Sequence, residues 1–508
     1  MIKPTHAGYL GPTTFFSSAR LAALGFVMGI LCLPTSYAVA FKASTIATAS
    51  VGQQTVVAAF LSDPQVADLV IVTIDPKGRR TLSLMPQIGG QYSEALSTLT
   101  LTEDLIAIDV GRLQKRDAIV VFTQSAAFRL EPLTGERTKL SDISTIYCTP
   151  ISNALPHLDL FTDVNGDGKD DLVIPGFDGF QIHIQLADGS FATPTSHRAP
   201  PVAELSFNDY LWYQPQQKYL SDMNLDGKSD VAVLVDNQLR VFPQQVNGQF
   251  LQQPISVDTG IELDFGGMEA LNVAMRDMDQ SNNLSRALIK LRDLDGDGLT
   301  DMLVISVKSQ GVFRKQTSYY VYRGIVVKGE LGFTQTPVTA IDSKGYQFEI
   351  KDVDFNNDNQ TDMMISAVDI GLGKVLGALI TGAITINLNF YQMTEGGYPN
   401  KPNMQRKIKA TFDLSSGDFF YPSVLIADAD GDGIDDLFVQ DGEDRLNIFR
   451  GLGNADIFSK SATVINAHMP SDPELISIDD LNQDGKVDLV MRHEPTAGSK
   501  KIVVLVSE

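Results

Sequence analysis

The run Asp163-Val164-Asn165-Gly166-Asp167-Gly168-Lys169-Asp170-Asp171, followed at once by Leu172-Val173-Ile174, decides how the rest of the chain is read. A tight loop that turns residues 1, 3 and 5 to its concave side gathers three carboxylate or amide oxygens around one cation. Glycine at position 6 permits the left-handed turn that reverses the chain. Position 7 offers its backbone carbonyl, so its side chain is unconstrained, and position 9 closes the shell with a further carboxylate. Ligands made only of oxygen favour calcium over zinc or copper. The expected ligands of this copy are Asp163, Asn165, Asp167, the carbonyl of Lys169, and Asp171.

The pattern recurs five times. Asp222, Asn224, Asp226, Lys228 and Asp230 precede Val231-Ala232-Val233, and Asp293, Asp295, Asp297, Leu299 and Asp301 precede Met302-Leu303-Val304. The next copy is Asp354, Asn356, Asp358, Gln360 and Asp362, with Asn359 at position 6. Asparagine is the residue that best tolerates positive φ after glycine. Asp428, Asp430, Asp432, Ile434 and Asp436 precede Leu437-Phe438-Val439, and Asp480, Asn482, Asp484, Lys486 and Asp488 precede Leu489-Val490-Met491. The mixture at position 7 is what a backbone ligand allows. Up to six calcium ions are expected, in structural rather than catalytic roles.

The surroundings of the loops separate three architectures. An EF-hand needs a bidentate glutamate at position 12 between flanking helices. Position 12 here is Ile174, Val233 or Val304, inside β-branched runs. Nonapeptide β-rolls stack without spacers, whereas these loops begin at residues 163, 222, 293, 354, 428 and 480, 52 to 74 residues apart. What remains is one calcium loop per unit of about four strands, the size of a propeller blade. Apolar segments end just before the loops (158–161, 424–426, 475–478), and a Gly-x-aromatic turn follows in Gly189-Ser190-Phe191, Gly248-Gln249-Phe250 and, more loosely, Gly397-Tyr398. Two degenerate units come first. One runs from Asp109 to Asp117 with Gly111, Leu113 and Lys115 inside; the other, shorter, leads into Asp68 and is followed by Gly90-Gln91-Tyr92. Neither is expected to hold metal.

These D-x-[DN]-x-D-G-x-x-D loops with downstream Gly-x-Phe resemble the FG-GAP and VCBS repeats, the unit of the integrin α-subunit propeller and of many secreted bacterial proteins. The resemblance covers nearly all of residues 45–508. It implies an all-β propeller whose calcium loops join the first two strands of each blade on one face, with ligands bound on the opposite face. The family most often has seven blades. Eight loop positions here predict eight, with seven the alternative, and residues 42–51 are expected to supply a closing strand to the last blade.

Composition agrees. With 40 basic and 62 acidic residues the net charge is −22. Such a chain repels nucleic acid and anionic membrane surfaces and attracts cations. Lys3 and Arg20, an apolar run over residues 21–33 and Ala38-Val39-Ala40 read as a cleaved secretory signal spanning residues 1–40. The product is a single secreted domain, 41–508, periplasmic, extracellular or at the cell surface. Cleavage removes Cys32 and leaves Cys148, so no internal disulfide is expected. Residues 375–386 are apolar but too short to span a bilayer and lead into an alternating strand pattern.

Catalytic signals in the sequence pattern are poor. No nucleophile elbow, zincin motif or phosphate-cradling glycine loop occurs. His157, His183, His197, His468 and His493 lie far apart, and Cys148 is expected to be a small buried apolar residue. Tyr210, Trp212, Tyr213 and Tyr219 read as packing between blades, with a glycan platform as the alternative. Insertions are expected near 251–287 and 367–395. The reading is a noncatalytic binding or adhesion module for protein or glycan; the alternative is a polysaccharide lyase-like enzyme on the same propeller.

Overall fold

The computed structural model describes residues 39–508 apart from 49, 51, 93, 149–152, 206–210, 278–282, 310–314, 345, 369–380, 413–418 and 494–499. The signal-like segment up to residue 38, Cys32 and Tyr210 fall outside the described residues.

The chain is an eight-bladed β-propeller, each blade an antiparallel sheet in sequence order. Blade 1 comprises Thr55–Ala59, Asp68–Ile74, Arg80–Met85 and Ser97–Thr100; blade 2, Ala107–Leu113, Arg116–Phe122, Ala126–Leu130 and Arg137–Asp142. Blade 3 comprises Phe161–Thr162, Asp171–Gly176, Gly179–His183 and Thr195–Arg198; blade 4, Lys218–Ser221, Asp230–Val235, Gln238–Phe242 and Ile255–Val257. Blade 5 is built on Asn283–Arg292, Asp301–Ser309, Lys315–Tyr322 and Thr339–Lys344, with Phe265–Gly266 added in parallel. Blade 6 runs Tyr346–Val353, Asp362–Val368, Ala383–Tyr391 and Met404–Phe412, with Phe419–Phe420 at its edge. Blade 7 comprises Val424–Ala427, Asp436–Gln440, Arg445–Phe449 and Thr463–Asn466. Blade 8 comprises Ile476–Asp479, Asp488–His493 and Lys500–Ser507, and its fourth strand is Phe41–Thr48, from the other end of the chain. Phe41 pairs with Ser507 and Thr48 with Lys500, the closing strand that the eight-blade count requires.

Burial explains the strand composition. Second strands lie with both faces covered by neighbouring blades, so they read as unbroken apolar runs; every residue of Asp230–Val235 is buried. Fourth strands have one face in solvent, and Thr463–Asn466 alternates half-buried with exposed. Eight apolar clusters fill the eight gaps between blades. One joins Val70 and Leu82 of blade 1 to Ile119 and Val121 of blade 2. The last joins Val490, Ile502 and Val504 of blade 8 to Leu69, Ile71 and Met85 of blade 1, which closes the ring.

First strands of adjacent blades approach one another, as Thr55–Ala59 does Ala107–Leu113, and so surround the central axis. First-to-second and third-to-fourth connections therefore emerge on one face, here the loop face. Second-to-third turns and the links between blades emerge on the other. On that far face stand the hairpin of Val202–Leu205 with Leu211–Gln214 and the helix Met268–Asp277, the latter inside the expected insertion at 251–287. Of the second expected insertion, residues 369–380 lie outside the description. The apolar stretch after residue 375 ends in the blade 6 strand Ala383–Tyr391. No described helix is long and apolar enough to cross a membrane.

Two side chains depart from expectation. Cys148 is exposed rather than buried, its Sγ 3.3 Å from the Thr145 carbonyl; it lies on a link between blades, where no neighbouring strand covers it. The aromatic group near residue 215 is divided between two environments. Tyr219 is buried between blades 4 and 5, its hydroxyl donating to the Leu288 carbonyl at 2.6 Å, whereas Tyr213 meets the half-exposed Phe177 edge-on at 4.9 Å on the far face.

Candidate metal loops

All six loops occupy the turn between first and second strands, and all share one backbone path. Position 6 is left-handed in every copy, with φ between 64° at Asn359 and 86° at Gly298. Position 4 is left-handed too: Gly166, Leu225, Gly296, Asn357, Gly431 and Gln483 have φ from 53° to 78°. The position 1 carboxylate holds this path, accepting the position 6 amide at 2.7–2.9 Å in all six copies. The position 5 carboxylate accepts the amide of position 7 at 2.8–3.0 Å, which confines that residue's backbone whatever its side chain.

Position 9 behaves differently from positions 1, 3 and 5. Asp171, Asp230, Asp301, Asp362, Asp436 and Asp488 are at most 1% exposed. In each, one oxygen accepts the position 2 amide at 2.9–3.4 Å, and the other accepts an amide at the end of the third strand at 2.6–2.8 Å. The carboxylate thus clamps the loop to its own blade. Burial pushes Asp171, Asp362 and Asp436 up to about 7, and Asp301 and Asp488 to about 6; the amide bonds oppose this and the neighbouring aspartates of the loop add to it.

The outer oxygen of position 5 carries a donor in every loop. Lys169 and Lys228 reach Asp167 and Asp226 from position 7, the latter at 3.5 Å. Gln360 reaches Asp358 at 3.2 Å, and Asn482 reaches Asp484 at 3.1 Å. Arg323 reaches Asp297 at 3.0 Å and Arg450 reaches Asp432 at 2.7 Å, each from the residue just past the third strand. Carboxylate oxygens of Asp293, Asp295 and Asp297 lie within 4.8 Å of one another, as do those of Asp428, Asp430 and Asp432. The other four loops have asparagine at position 3, and Asn356 Oδ1 is buried with no protein hydrogen-bond partner. The converging carboxylates of the blade 5 and blade 7 loops, and the buried unsatisfied amide oxygen of the blade 6 loop, each fit a calcium-type cation. Positions 1, 3 and 5 and the position 7 carbonyl, with position 9 behind them, are the groups that would hold it.

Position 2 was not singled out by the ligand pattern, yet it fixes each loop to the core. Val164, Met223, Leu294, Phe355, Ala429 and Leu481 are all buried, each in the cluster shared with the following blade. Phe355 packs against Phe390 of its own blade and Phe458 of blade 7, with ring centroids 5.7 and 5.5 Å away. The signal was present: position 2 is apolar in every copy. Neighbouring loops are also joined directly. The amides of Thr361 and Val487 donate to Leu294 and Asp428 of the preceding loops at 2.7 and 2.8 Å, and Gln244 Nε2 donates to the Asn165 carbonyl at 2.8 Å. The Gly-x-aromatic turns fold over the same face, with Phe250 and Tyr398 buried and Phe191 half-buried; Phe458 of blade 7, without the glycine, is buried in the corresponding place.

The two degenerate units lack the loop. Blade 2 turns through Gln114 (φ 62°) and Lys115, and its Asp109 accepts the Leu160 and Phe161 amides at 2.8 and 2.9 Å while pairing with His157 at 2.9 Å. In blade 1, Asp68 accepts the Ser62 amide at 2.7 Å. Histidines distant in sequence do meet: the rings of His468 and His493 stack with centroids 5.0 Å apart. His197 lies among Phe180, Phe242 and Phe250, and burial pushes its pKa down to about 4.

Residues 428–491, from the blade 7 loop to the second strand of blade 8, match the family model of the FG-GAP-like repeat. No curated protein matches the chain. Similar solved structures include an Agrocybe aegerita lectin described as recognising non-reducing terminal N-acetylglucosamine (12% identity, 91% of this chain and 98% of that one, TM-score 0.39). Others are the V. cholerae biofilm matrix protein Bap1 (14%, 92% and 91%, TM-score 0.36) and the Dos1 propeller (11%, 92% and 95%, TM-score 0.42).

Proposed function

We propose that this chain is a secreted, calcium-loaded propeller that acts as a noncatalytic binding or adhesion module, presenting the face opposite its metal loops to a protein or glycan ligand. The supporting observation is the division of labour between the faces. Six acidic loops crowd one face and are tied into the blades and to each other, a scaffolding role. The far face carries the added hairpin and helix and an aromatic pair, the exposed Phe177 against the half-buried Tyr213, on a rigid ring. Calcium supplies the positive charge that relieves repulsion among the clustered carboxylates. Extracellular calcium modules have dissociation constants on the order of 10⁻⁴ to 10⁻³ M, so calcium at ten times that value stabilises the fold by about 1.4 kcal/mol per loop.

Thermal melts in calcium and in excess chelator test the scaffold role; equal midpoints sink it. Glycan and protein arrays probed with the calcium-loaded domain test the binding role. Turnover of acidic polysaccharides in a parallel screen replaces that role with the lyase reading.

A further inference from the structure

The six loops differ from one another in a correlated way. The residue just before the third-strand amide that binds position 9 is Ile184, Pro243, Arg323, Gln392, Arg450 and Val506 in blades 3 to 8. Arginine occurs there in two blades, the same two whose position 3 is aspartate, Asp295 and Asp430. In those blades position 7 is aliphatic, Leu299 and Ile434, whereas the four asparagine loops have Lys169, Lys228, Gln360 and Lys486. Glycine follows each arginine. A Cβ on Gly324 would meet the Thr300 carbonyl at 2.5 Å, and one on Gly451 the Asp435 carbonyl at 2.3 Å, so the strand lies hard against the loop at that point. Four positions therefore change together.

We propose that Arg323 and Arg450 are built-in counter-cations of the two all-aspartate loops, holding the position 3 and position 5 carboxylates together in the metal-free protein. Arg450 reaches the outer oxygens of Asp430 and Asp432 at 3.0 and 2.7 Å. Arg323 pairs with Asp295 and, at 3.0 Å, with Asp297. The aspartate at position 3 is the buried partner: its side chain is 3% exposed in Asp295 and 8% in Asp430. An extra buried carboxylate raises the cost of assembling a loop, and a fixed guanidinium offsets it by gripping two carboxylates at once. Inner oxygens stay turned to the backbone, as Asp432 and Ile434 donate to Asp430 and Asp432. The arginines thus position the acidic set and lessen its dependence on a bound ion. This inference rests on the reading of the loops as cation sites, yet its central test needs no metal.

Wild type, R450Q and D430N/R450Q, each as the full domain, are melted in excess chelator and in calcium. In chelator, R450Q should melt about 1–2 °C lower, and D430N, which copies the four asparagine loops, should return it to the wild-type midpoint. In calcium the R450Q deficit should shrink, so that its calcium-induced rise exceeds that of wild type. R323Q and D295N/R323Q should repeat the pattern in blade 5. Where calcium raises the wild-type midpoint, an R450Q deficit of equal size in both conditions overturns the proposal; no R450Q deficit in chelator, or no recovery in the double variant, overturns it in any case. If wild type melts identically with and without calcium, the cation-site reading fails, whereas loss and recovery in chelator still upholds the counter-cation role.

Discussion

Between its first and second strands blade 2 turns through Gln114 and Lys115, whereas blade 7 uses the nine residues from Asp428 to Asp436 at the same place. Both blades keep aspartates there. In blade 2 they bond outward: Asp109 to the entry of blade 3, and Asp117 to the Phe60 amide of blade 1 at 2.9 Å. In blade 7 Asp428, Asp430 and Asp432 face one another; Asp428 and Asp436 accept backbone amides on both oxygens, whereas Asp430 and Asp432 do so on one. An aspartate that finds its donors on neighbouring strands needs no ion. An aspartate whose neighbours are other aspartates has a deficit of positive charge, made up in part by Arg450. The lesson is that blade closure does not depend on the aspartate loop: blades 1 and 2 close without it.

The largest expected effect separates the two designs at position 9. Asp362→Ala removes the acceptor of two buried amides, those of Phe355 and Met393, and should cost about 3 kcal/mol in urea unfolding. Asp117→Ala removes one and should cost about 1 kcal/mol. Equal costs would break the comparison.

A second test uses pH. Burial disfavours a charge on His157, but the hydrogen bond and charge of Asp109 outweigh it and raise its pKa. Stability from that pair is present below about pH 6.5 and fades as pH rises through the raised value. His197, in its aromatic surroundings, is lowered to about 4, so its contribution is present above pH 6.5 and is lost as pH falls towards 4. Relative to wild type, His157→Gln should therefore lose more stability at pH 5 than at pH 8, and His197→Gln less. Matching pH profiles for the two variants would contradict these assignments.

The smallest effect concerns backbone strain inside a loop. Gln483 stands exposed at position 4 with φ of 53°. Gln483→Gly should stabilise the metal-free domain by about 0.5 kcal/mol, the relief exceeding the added freedom of the unfolded chain. A loss of stability would show that the contact from Gln483 Nε2 to the Pro64 carbonyl, 3.2 Å, outweighs the strain.

Much of this was legible because the loop is local. Six carboxylate patterns at fixed spacing located six second strands, and two degenerate copies located two more, which is the whole ring. The closing strand followed from arithmetic on blades. What escaped was non-local. Cys148 carries no pattern that distinguishes an exposed link from a core strand, and Tyr213 and Tyr219 differ in fate by six residues because one belongs to an added hairpin. The arginines are invisible to a loop motif, since Arg323 and Arg450 arrive from just past a third strand, 18 to 28 residues away from the carboxylates they bind. Position 2 was readable, yet its apolar side chain gains meaning only when the next blade is in place.

The pairing of Phe41–Thr48 with Lys500–Ser507 gives the ring a single seam, and with it a sense of time. Every other blade can assemble from a continuous stretch of chain as it emerges. Blade 8 alone must wait for both ends, a contact across nearly the full chain length and hence the slowest search. The edge of Lys500–Ser507 stays open to pairing with any stray strand until its own partner arrives. Trouble during folding should therefore begin at that seam, with two half-clasped copies trading their Phe41–Thr48 strands, before any aspartate loop has failed.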